Sequence, residues 1–243
     1  MKSLDWLNSL PERPCKERDQ MVIDAISSGM LFCNWAEITS SSANHTAIFY
    51  VCEDAFYVDI GAGQRYRPQV SATLAQKCAD IYGASLPTSK ICDLSYLQAK
   101  VKLPPVIMAP NASMATTQAS ITYNKELERR RAGRTGLIRG VGKSWVISNK
   151  ILTNFIAPNT ACNYGYFDPN GPSRSVSGIR LWQSRGTRHN RLHEDRTQLL
   201  ILMANYCKIN DETMNVTDVM SHPILSTLIS DEGPLKITRQ PGV

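Results

Sequence analysis

The residues best suited to chemistry gather in the segment WQSRGTRHNRLHEDRTQLLILM, residues 182–203. His189 and His193 can carry protons near neutral pH, and Asp195 is a carboxylate that can orient an imidazole ring. Thr197 adds a hydroxyl two positions later. The pattern from residue 189 onward is that of a strand, with a long strand predicted at 193–206, and alternate residues of a strand share a face. We therefore predict that these four side chains line one face of a strand that continues into the core.

Three chemistries fit this group of residues. His189 or His193 is predicted to act as a general base that Asp195 orients. The group it would activate is a water, Thr197 or Cys162. Two histidines and a carboxylate are also a known metal-ligand set, but along one strand His189 and His193 would lie about 13 Å apart, unless residues 189–192 form a loop. We therefore predict no metal ion and no cofactor. The H-N-x-x-H spacing, flanked by arginines, also resembles one part of a nuclease site, and a polar surface strand without function is the alternative.

The segment GRTGLIRGVGKSW, residues 133–145, ends like a phosphate-binding loop but does not match one. The Walker pattern G-x-x-x-x-G-K-[ST] requires a glycine where Leu137 stands. Such a loop also opens a helix, whereas the residues that follow here have a strand pattern. We therefore predict a turn or bulge. Lys143, at the entry to the strand, is predicted to line the same site as Thr197, and an exposed lysine in a turn is the alternative.

Aromatic and amide side chains gather in the same half of the chain. Aromatic rings in a cleft can stack on sugars or bases, although such rings more often belong to a core. We predict four substrate contacts: Trp182, Gln183, Tyr164 and His193.

Basic residues are unevenly distributed along the chain. The formal net charge is +6, and residues 125–143 contain seven basic residues and two acidic ones. Such clusters are typical of surfaces that bind nucleic acid or another polyanion. Basic residues are also favoured at the C-terminal end of a helix, so a solvated helix face is the alternative.

The composition indicates a globular protein that folds in a reducing compartment. Of the 243 residues, 42% are hydrophobic and 20% are charged, which suffices for a core without disulfides. The seven cysteines include no C-x-x-C pair, which argues against a zinc ribbon or a disulfide framework. We see no apolar core of a signal peptide and no apolar run of about 18 residues. We expect synthesis in the cytoplasm and no membrane partner, with a virus particle or another export route left open.

The order of the predicted helices and strands that position these residues indicates a single α+β domain with an antiparallel or mixed sheet. Its first part, residues 1–70, combines a helix at 15–28 with a β meander. The last two strands of this meander are close enough in sequence to form a tight hairpin. The meander strands are predicted at 30–39, 46–53 and 55–60.

The predicted helices are segregated in the middle of the chain, at residues 71–132. Gly83 and the pair Pro104-Pro105 stop the first two helices, and a charged third helix follows at 116–131. The last part, residues 133–243, returns to strands and closes with a C-terminal helix.

Several of these motifs together resemble an uncharacterised family of bacterial and phage-associated proteins. The motifs span residues 70–235 and are GASLPTSKICDLSY with its LPT helix start, GVGKSWVIS, NYGYF, a late H-x(5)-D-x-T strand and SHPILSTLISDEGP. In that family the last strand contains a His, an Asp and a Ser, which match His189, Asp195 and Thr197. The resemblance implies a shared site at these positions but no named reaction, and threonine replaces the family's serine.

The sequence supports three functions and does not decide whether the chain is an enzyme. The first is a hydrolase-like domain that acts on a cell-wall peptide or glycan, with His189 as base and Asp195 as its orienter. The second is a non-catalytic binding protein or a structural protein of a phage virion, with protein assembly partners. The third is a nucleic-acid-binding protein that uses residues 125–143.

Overall fold

Short helices and strands alternate along the chain in the computed structural model, which describes residues 3–153 and 159–243. The helices are α1 (Ser3–Ser9), α2 (Lys16–Ser27), α3 (Ala72–Tyr82), α4 (Ser89–Leu97), α5 (Thr117–Arg131), α6 (Lys150–Thr153) and α7 (Val216–Ser221), with a 3-10 helix at Leu225–Leu228. The strands are β1 (Trp35–Ser42), β2 (His45–Cys52), β3 (Val58–Asp59), β4 (Arg65–Tyr66), β5 (Ala84–Ser85), β6 (Val101–Lys102), β7 (Ile138–Arg139), β8 (Lys143–Val146), β9 (Thr160–Phe167), β10 (Ser173–Arg174), β11 (Arg180–Asn190), β12 (Met203–Ile209) and β13 (Glu212–Asn215).

Two antiparallel sheets carry most of the strands. The first has the order β1-β2-β12-β13, with β5 also paired to β12. The second has the order β10-β11-β9-β8. Two-stranded pairs join β3 to β4 and, in parallel, β6 to β7. These sheets and the separate helices confirm a single α+β domain.

The apolar run Leu199–Met203 leads from β8 of the second sheet, where Leu199 N–H donates to the Lys143 carbonyl, to β12 of the first sheet, which begins at Met203. All five of its residues are buried, as expected for a segment covered on both sides. Leu200, Leu202 and Met203 belong to the largest core cluster, which also contains residues of α2, α3 and the first sheet. Leu199 and Ile201 pack instead with residues of α5 and β7. The run therefore connects the two parts of the core.

The predicted helices of the middle segment are present. Thr116 caps α5, since its side chain accepts a hydrogen bond from the backbone N–H of Ala119. Gly83 ends α3 in the left-handed conformation. The expected C-terminal helix is divided into α7 and the 3-10 helix, and Pro223 stands between them.

The predicted hairpin between residues 46–53 and 55–60 is wrong. The hairpin is β1–β2, in which Ser42 pairs with His45. The backbone around 52–56 pairs instead with the distant apolar run: Cys52 N–H donates to the Leu202 carbonyl at 3.0 Å and Phe56 N–H to the Leu200 carbonyl at 2.8 Å. Contacts between residues far apart in sequence therefore decide this arrangement.

The predicted long strand through residues 193–206 is also wrong. Strand β11 ends at Asn190, and β12 begins only at Met203. The Asn190 side chain accepts a hydrogen bond from Leu192 N–H, and its carbonyl accepts one from His193 N–H. Such side-chain to backbone bonds replace a strand ladder by a turn. The rule that alternate residues share a face therefore fails between 190 and 202.

The basic run 125–143 is only partly exposed: Arg131 and Arg139 are buried, whereas Lys125, Arg129 and Arg134 are exposed. Arg131 is buried and pairs with Glu128 at 2.6 Å. Arg139 is also buried and donates to the Cys52 carbonyl at 2.8 Å. On the helix surface Glu126 binds Arg129 and Arg130, both at 2.7 Å. The run therefore does not present a continuous cationic face.

Candidate active site

Lys143 begins β8 at a point where the backbone is fixed on two sides. It pairs with Gly165 of β9 on one side. On the other side its N–H donates to the Thr197 carbonyl at 2.6 Å, and its carbonyl accepts from Leu199 N–H at 3.3 Å. A Cβ on Gly142 would lie 2.5 Å from the Thr197 carbonyl oxygen, so only glycine permits this approach. The glycines of the GVGKS motif therefore bring a strand against residue 197, and Lys143 opens a strand rather than a helix.

The Asp195 carboxylate is the centre of the predicted site. Its Oδ2 atom lies 3.2 Å from the Lys143 Nζ. Its Oδ1 atom accepts a hydrogen bond from the Thr197 N–H at 2.7 Å and a second one from the Thr197 hydroxyl. The His193 Nε2 lies 3.7 Å from Oδ2. The carboxylate thus joins three of the side chains that the sequence singles out.

Asp195 is ionised at neutral pH although it is buried. Burial alone would raise the pKa of this carboxyl. The His193 imidazole, the Lys143 ammonium and the Thr197 donors outweigh burial and hold the pKa of Asp195 well below its ordinary value. The negative charge therefore stays in place to orient Lys143 and Thr197.

The two histidines lie side by side. Their ring centroids are 4.2 Å apart and the rings are nearly parallel, with an interplanar angle of 9°. The separation of about 13 Å expected along a strand is therefore wrong, because the turn after Asn190 brings His193 back over His189. The ring next to Asp195 is that of His193. Burial, then His193 and Lys143, lower the pKa of His189, so His189 is neutral at pH 7.

A cleft opens beside Lys143 and Thr197, with a volume of about 300 Å³. The predicted contacts Trp182 and Gln183 line the same cleft, so four of the predicted residues face one space. Trp182 is 44% exposed, and its indole N–H donates to Asp168 Oδ2 at 2.7 Å. The remaining lining residues are Val106, Ile107, Met108, Pro110, Met114, Tyr166 and Arg196.

Arg196 and Tyr166 hold one wall of the cleft. The Arg196 guanidinium donates to the carbonyls of Met108 and Ala109, at 3.1 and 3.2 Å. The Tyr166 hydroxyl donates to the Val106 carbonyl. Tyr166 has a φ of 61°, a left-handed conformation that is an outlier for a bulky residue. Residues held in such conformations cluster at binding and active sites, and this one lies one residue before the end of β9.

Tyr164, like His189 and His193, is not among the residues that line this cleft. Its hydroxyl donates to Asp93 Oδ1 at 2.7 Å, and its ring packs against Phe167. It lines a separate cavity that also includes Lys150 and Arg185. Cys162 packs in the same cluster as Tyr164, and burial raises the pKa of its thiol to about 12. A reactive cysteine needs a lowered pKa, so Cys162 is not an activated nucleophile.

Two features of the site have no counterpart among the residues predicted from the sequence. Arg196 stands between two predicted site residues, Asp195 and Thr197, and the segment 106–114 supplies one wall of the cleft. The apolar residues between the prolines of LPPVIMAPNASM indicate a binding surface, because a solvent-exposed loop without such a role needs no apolar residues.

No family model, curated protein or solved structure matches this chain. Within the described residues, no helix is long and apolar enough to cross a membrane, and no group of three His, Cys, Asp or Glu side chains is arranged to hold a metal ion. The arguments for a function therefore depend on the geometry of the Asp195 cluster and its cleft.

Proposed function

We propose that the protein is a hydrolase whose active site is the Lys143–Asp195–Thr197 cluster at the edge of the cleft. The observation that carries this proposal is the buried carboxylate of Asp195, which holds an ammonium group and a hydroxyl at the surface of a concave site. Ionised groups fixed in a cleft are suited to stabilise charge that develops during acyl or glycosyl transfer.

Each member of the cluster has a role. The Lys143 ammonium polarises the scissile group and stabilises the negative charge that forms on it. Thr197 positions the attacking group, and Asp195 fixes both neighbours. His193 is the base, because it is the imidazole that lies against the carboxylate. His189 holds the His193 ring in place by stacking on it.

The cleft suits a cell-wall peptide or glycan. Trp182 presents an exposed ring at its mouth, and such rings pack on sugar rings or apolar side chains. Gln183 adds an amide that can both donate and accept hydrogen bonds. A cleft of about 300 Å³ is within the usual size range of small-ligand sites.

The first prediction is that conservative changes in the cluster abolish turnover. Purified protein would be incubated with peptidoglycan fragments and unstructured peptides, and products would be identified by mass spectrometry. Asp195→Asn and Lys143→Met are each expected to reduce the rate about 100-fold or more, and His193→Gln also by about 100-fold or more.

The matched control for the histidine is His45→Gln, which lies in the first sheet and contacts Asn210. This variant is expected to keep the full rate, and circular dichroism would establish that all variants are folded. An Asp195→Asn protein that hydrolyses its substrate at the unchanged rate would refute the proposed site.

A non-catalytic binding function is the second candidate. Ile107 and Met108 are 58% and 37% exposed next to Trp182, and exposed apolar residues grouped in this way are typical of binding surfaces. Saturable binding of a fragment without any product would favour this candidate. Such an exposed apolar surface would also suit a protein that assembles into a virion.

A further inference from the structure

Arg196 is a buried cation without an acidic partner. Arg196 is 3% exposed, and no carboxylate among the described residues forms an ion pair with it. Its bonds go to the carbonyls of Met108 and Ala109, and its Nε atom has no partner in the described part of the chain. Buried charges in proteins are normally paired. The guanidinium therefore lacks an anion.

Lys143 adds a second positive charge to the same cleft. Its ammonium group has three N–H donors, and Asp195 is the one described carboxylate within ion-pair distance. No aspartate or glutamate is among the described residues that line the cleft. Asp195 offsets the charge of Lys143, but the charge of Arg196 has no acidic partner among the described residues, so the cleft keeps a net positive charge that favours an anionic ligand.

Apart from Gln183, Thr197 and Tyr166, the rest of the described cleft lining is apolar. Val106, Ile107, Met108, Pro110 and Met114 form one wall, and Trp182 stands at the mouth. A phosphate has no apolar part to place against this wall, and an acidic sugar offers only the C–H face of its ring and no aliphatic side chain. A ligand that matches both halves of the cleft has an anionic group attached to an aliphatic or aromatic group.

We propose that the cleft binds the free C-terminal carboxylate of a peptide whose last residue is apolar. The carboxylate lies between Lys143 and Arg196, and the apolar side chain packs against the 106–114 wall. This inference rests on the proposed function, since it names the end of the substrate that the same site recognises. Arginine and lysine are the usual partners of carboxylates, and arginine can bind both oxygens at once.

Calorimetric titration of the full chain with two probes tests this inference. The probes are N-acetyl-Ala-Leu with a free carboxylate and the same dipeptide as its C-terminal amide. The free acid is expected to bind at least 10-fold more tightly. Lys143→Gln is expected to remove most of that preference, whereas Lys208→Gln, an exposed lysine of β12 in the other sheet, is expected to retain it.

Two further probes separate the sources of negative charge. Inorganic phosphate and glucuronic acid are expected to bind at least 10-fold more weakly than the dipeptide acid, because neither has an aliphatic side chain to pack against the apolar wall. Equal affinity for acid and amide, or tighter binding of phosphate or glucuronic acid, would overturn the inference. Binding of the acid without any hydrolysis would preserve it and count against the hydrolase. Hydrolysis without a preference for the free carboxylate would support the hydrolase and overturn the inference about the carboxylate.

Discussion

At the scale of single residues, the Asp195 carboxylate fixes the geometry of the site. It uses one carboxylate oxygen for Lys143 and the other for Thr197, so one side chain fixes the relative positions of an ammonium group and a hydroxyl. The backbone contact between Lys143 and Thr197 makes the same arrangement independently. That contact depends on Gly142, which has no side chain to separate the two segments.

The residue-scale prediction is that Gly142→Ala impairs both stability and ligand binding. The new methyl group would lie 2.5 Å from the Thr197 carbonyl oxygen, so the two segments must separate. We expect a loss of about 1–3 kcal/mol in the free energy of unfolding, measured by urea denaturation, and loss of dipeptide binding. The comparison variant is Gly233→Ala, whose Cβ would have no atom within 4 Å but whose φ is +72°.

Gly233→Ala is expected to lose about 1–2 kcal/mol of stability because of its left-handed backbone and to keep ligand binding. A Gly142→Ala protein that unfolds at the wild-type urea concentration and binds the dipeptide normally would show that the close approach of residues 142 and 197 has no importance for the site.

At the scale of elements, a buried ionic network fixes α5 against the strands around it. Arg67 and Asp54 are both fully buried and lie 2.6 Å apart, and Arg67 also pairs with Glu128 of α5 at 2.9 Å. The pKa of Asp54 is lowered, because the two arginines beside it outweigh the effect of burial. Removal of one member leaves the others as buried charges without a partner.

Asp54→Asn is therefore expected to reduce the free energy of unfolding by about 3–5 kcal/mol. The matched control is Glu126→Gln, which removes the partner of Arg129 and Arg130 on the helix surface. Surface pairs contribute little, so this variant should unfold like the wild type in guanidinium chloride. Similar midpoints for the two variants would contradict the importance of the buried network.

The sequence predicted these elements unevenly, for physical reasons. Helix α5 begins after Thr116 as expected, because an N-cap is a local signal. The end of β11 at Asn190 was missed, since side-chain to backbone bonds at Asn190 and Asp195 compete with strand formation. Residue type was enough to single out Lys143, Asp195 and Thr197, which the structure brings together. Arg196 contributes to the cleft because the distant segment 106–114 folds against it. A contact between segments so far apart in sequence leaves no local pattern around Arg196.

At the scale of the whole molecule, the site lies where several parts of the chain meet. Residues 197–199 join Lys143 of the second sheet to the apolar run that leads to the first sheet. Just before them, Glu194 forms a buried ion pair with Arg18 of α2. The site segment is thus anchored to a helix near the start of the chain as well as to the sheet. A change in the charge of Glu194 should therefore affect both the free energy of unfolding and the structure of the site.

The last prediction concerns this response to pH. Burial raises the pKa of Glu194 to about 7, against the opposing effect of Arg18, while in the unfolded chain the pKa is near 4.5. The folded state therefore holds the proton more tightly between these values. By linkage, the contribution of this group to the free energy of unfolding decreases as pH rises through this window.

The stability of the wild type relative to Glu194→Gln should thus fall from pH 5 to pH 8, by at most about 3 kcal/mol. Urea unfolding of both proteins at unit steps of pH measures this difference, and the subtraction removes the opposing contribution of His189, which the two proteins share. A difference that stays constant, or that increases with pH, would mean that the Arg18 charge outweighs burial and that the pair is ionised throughout.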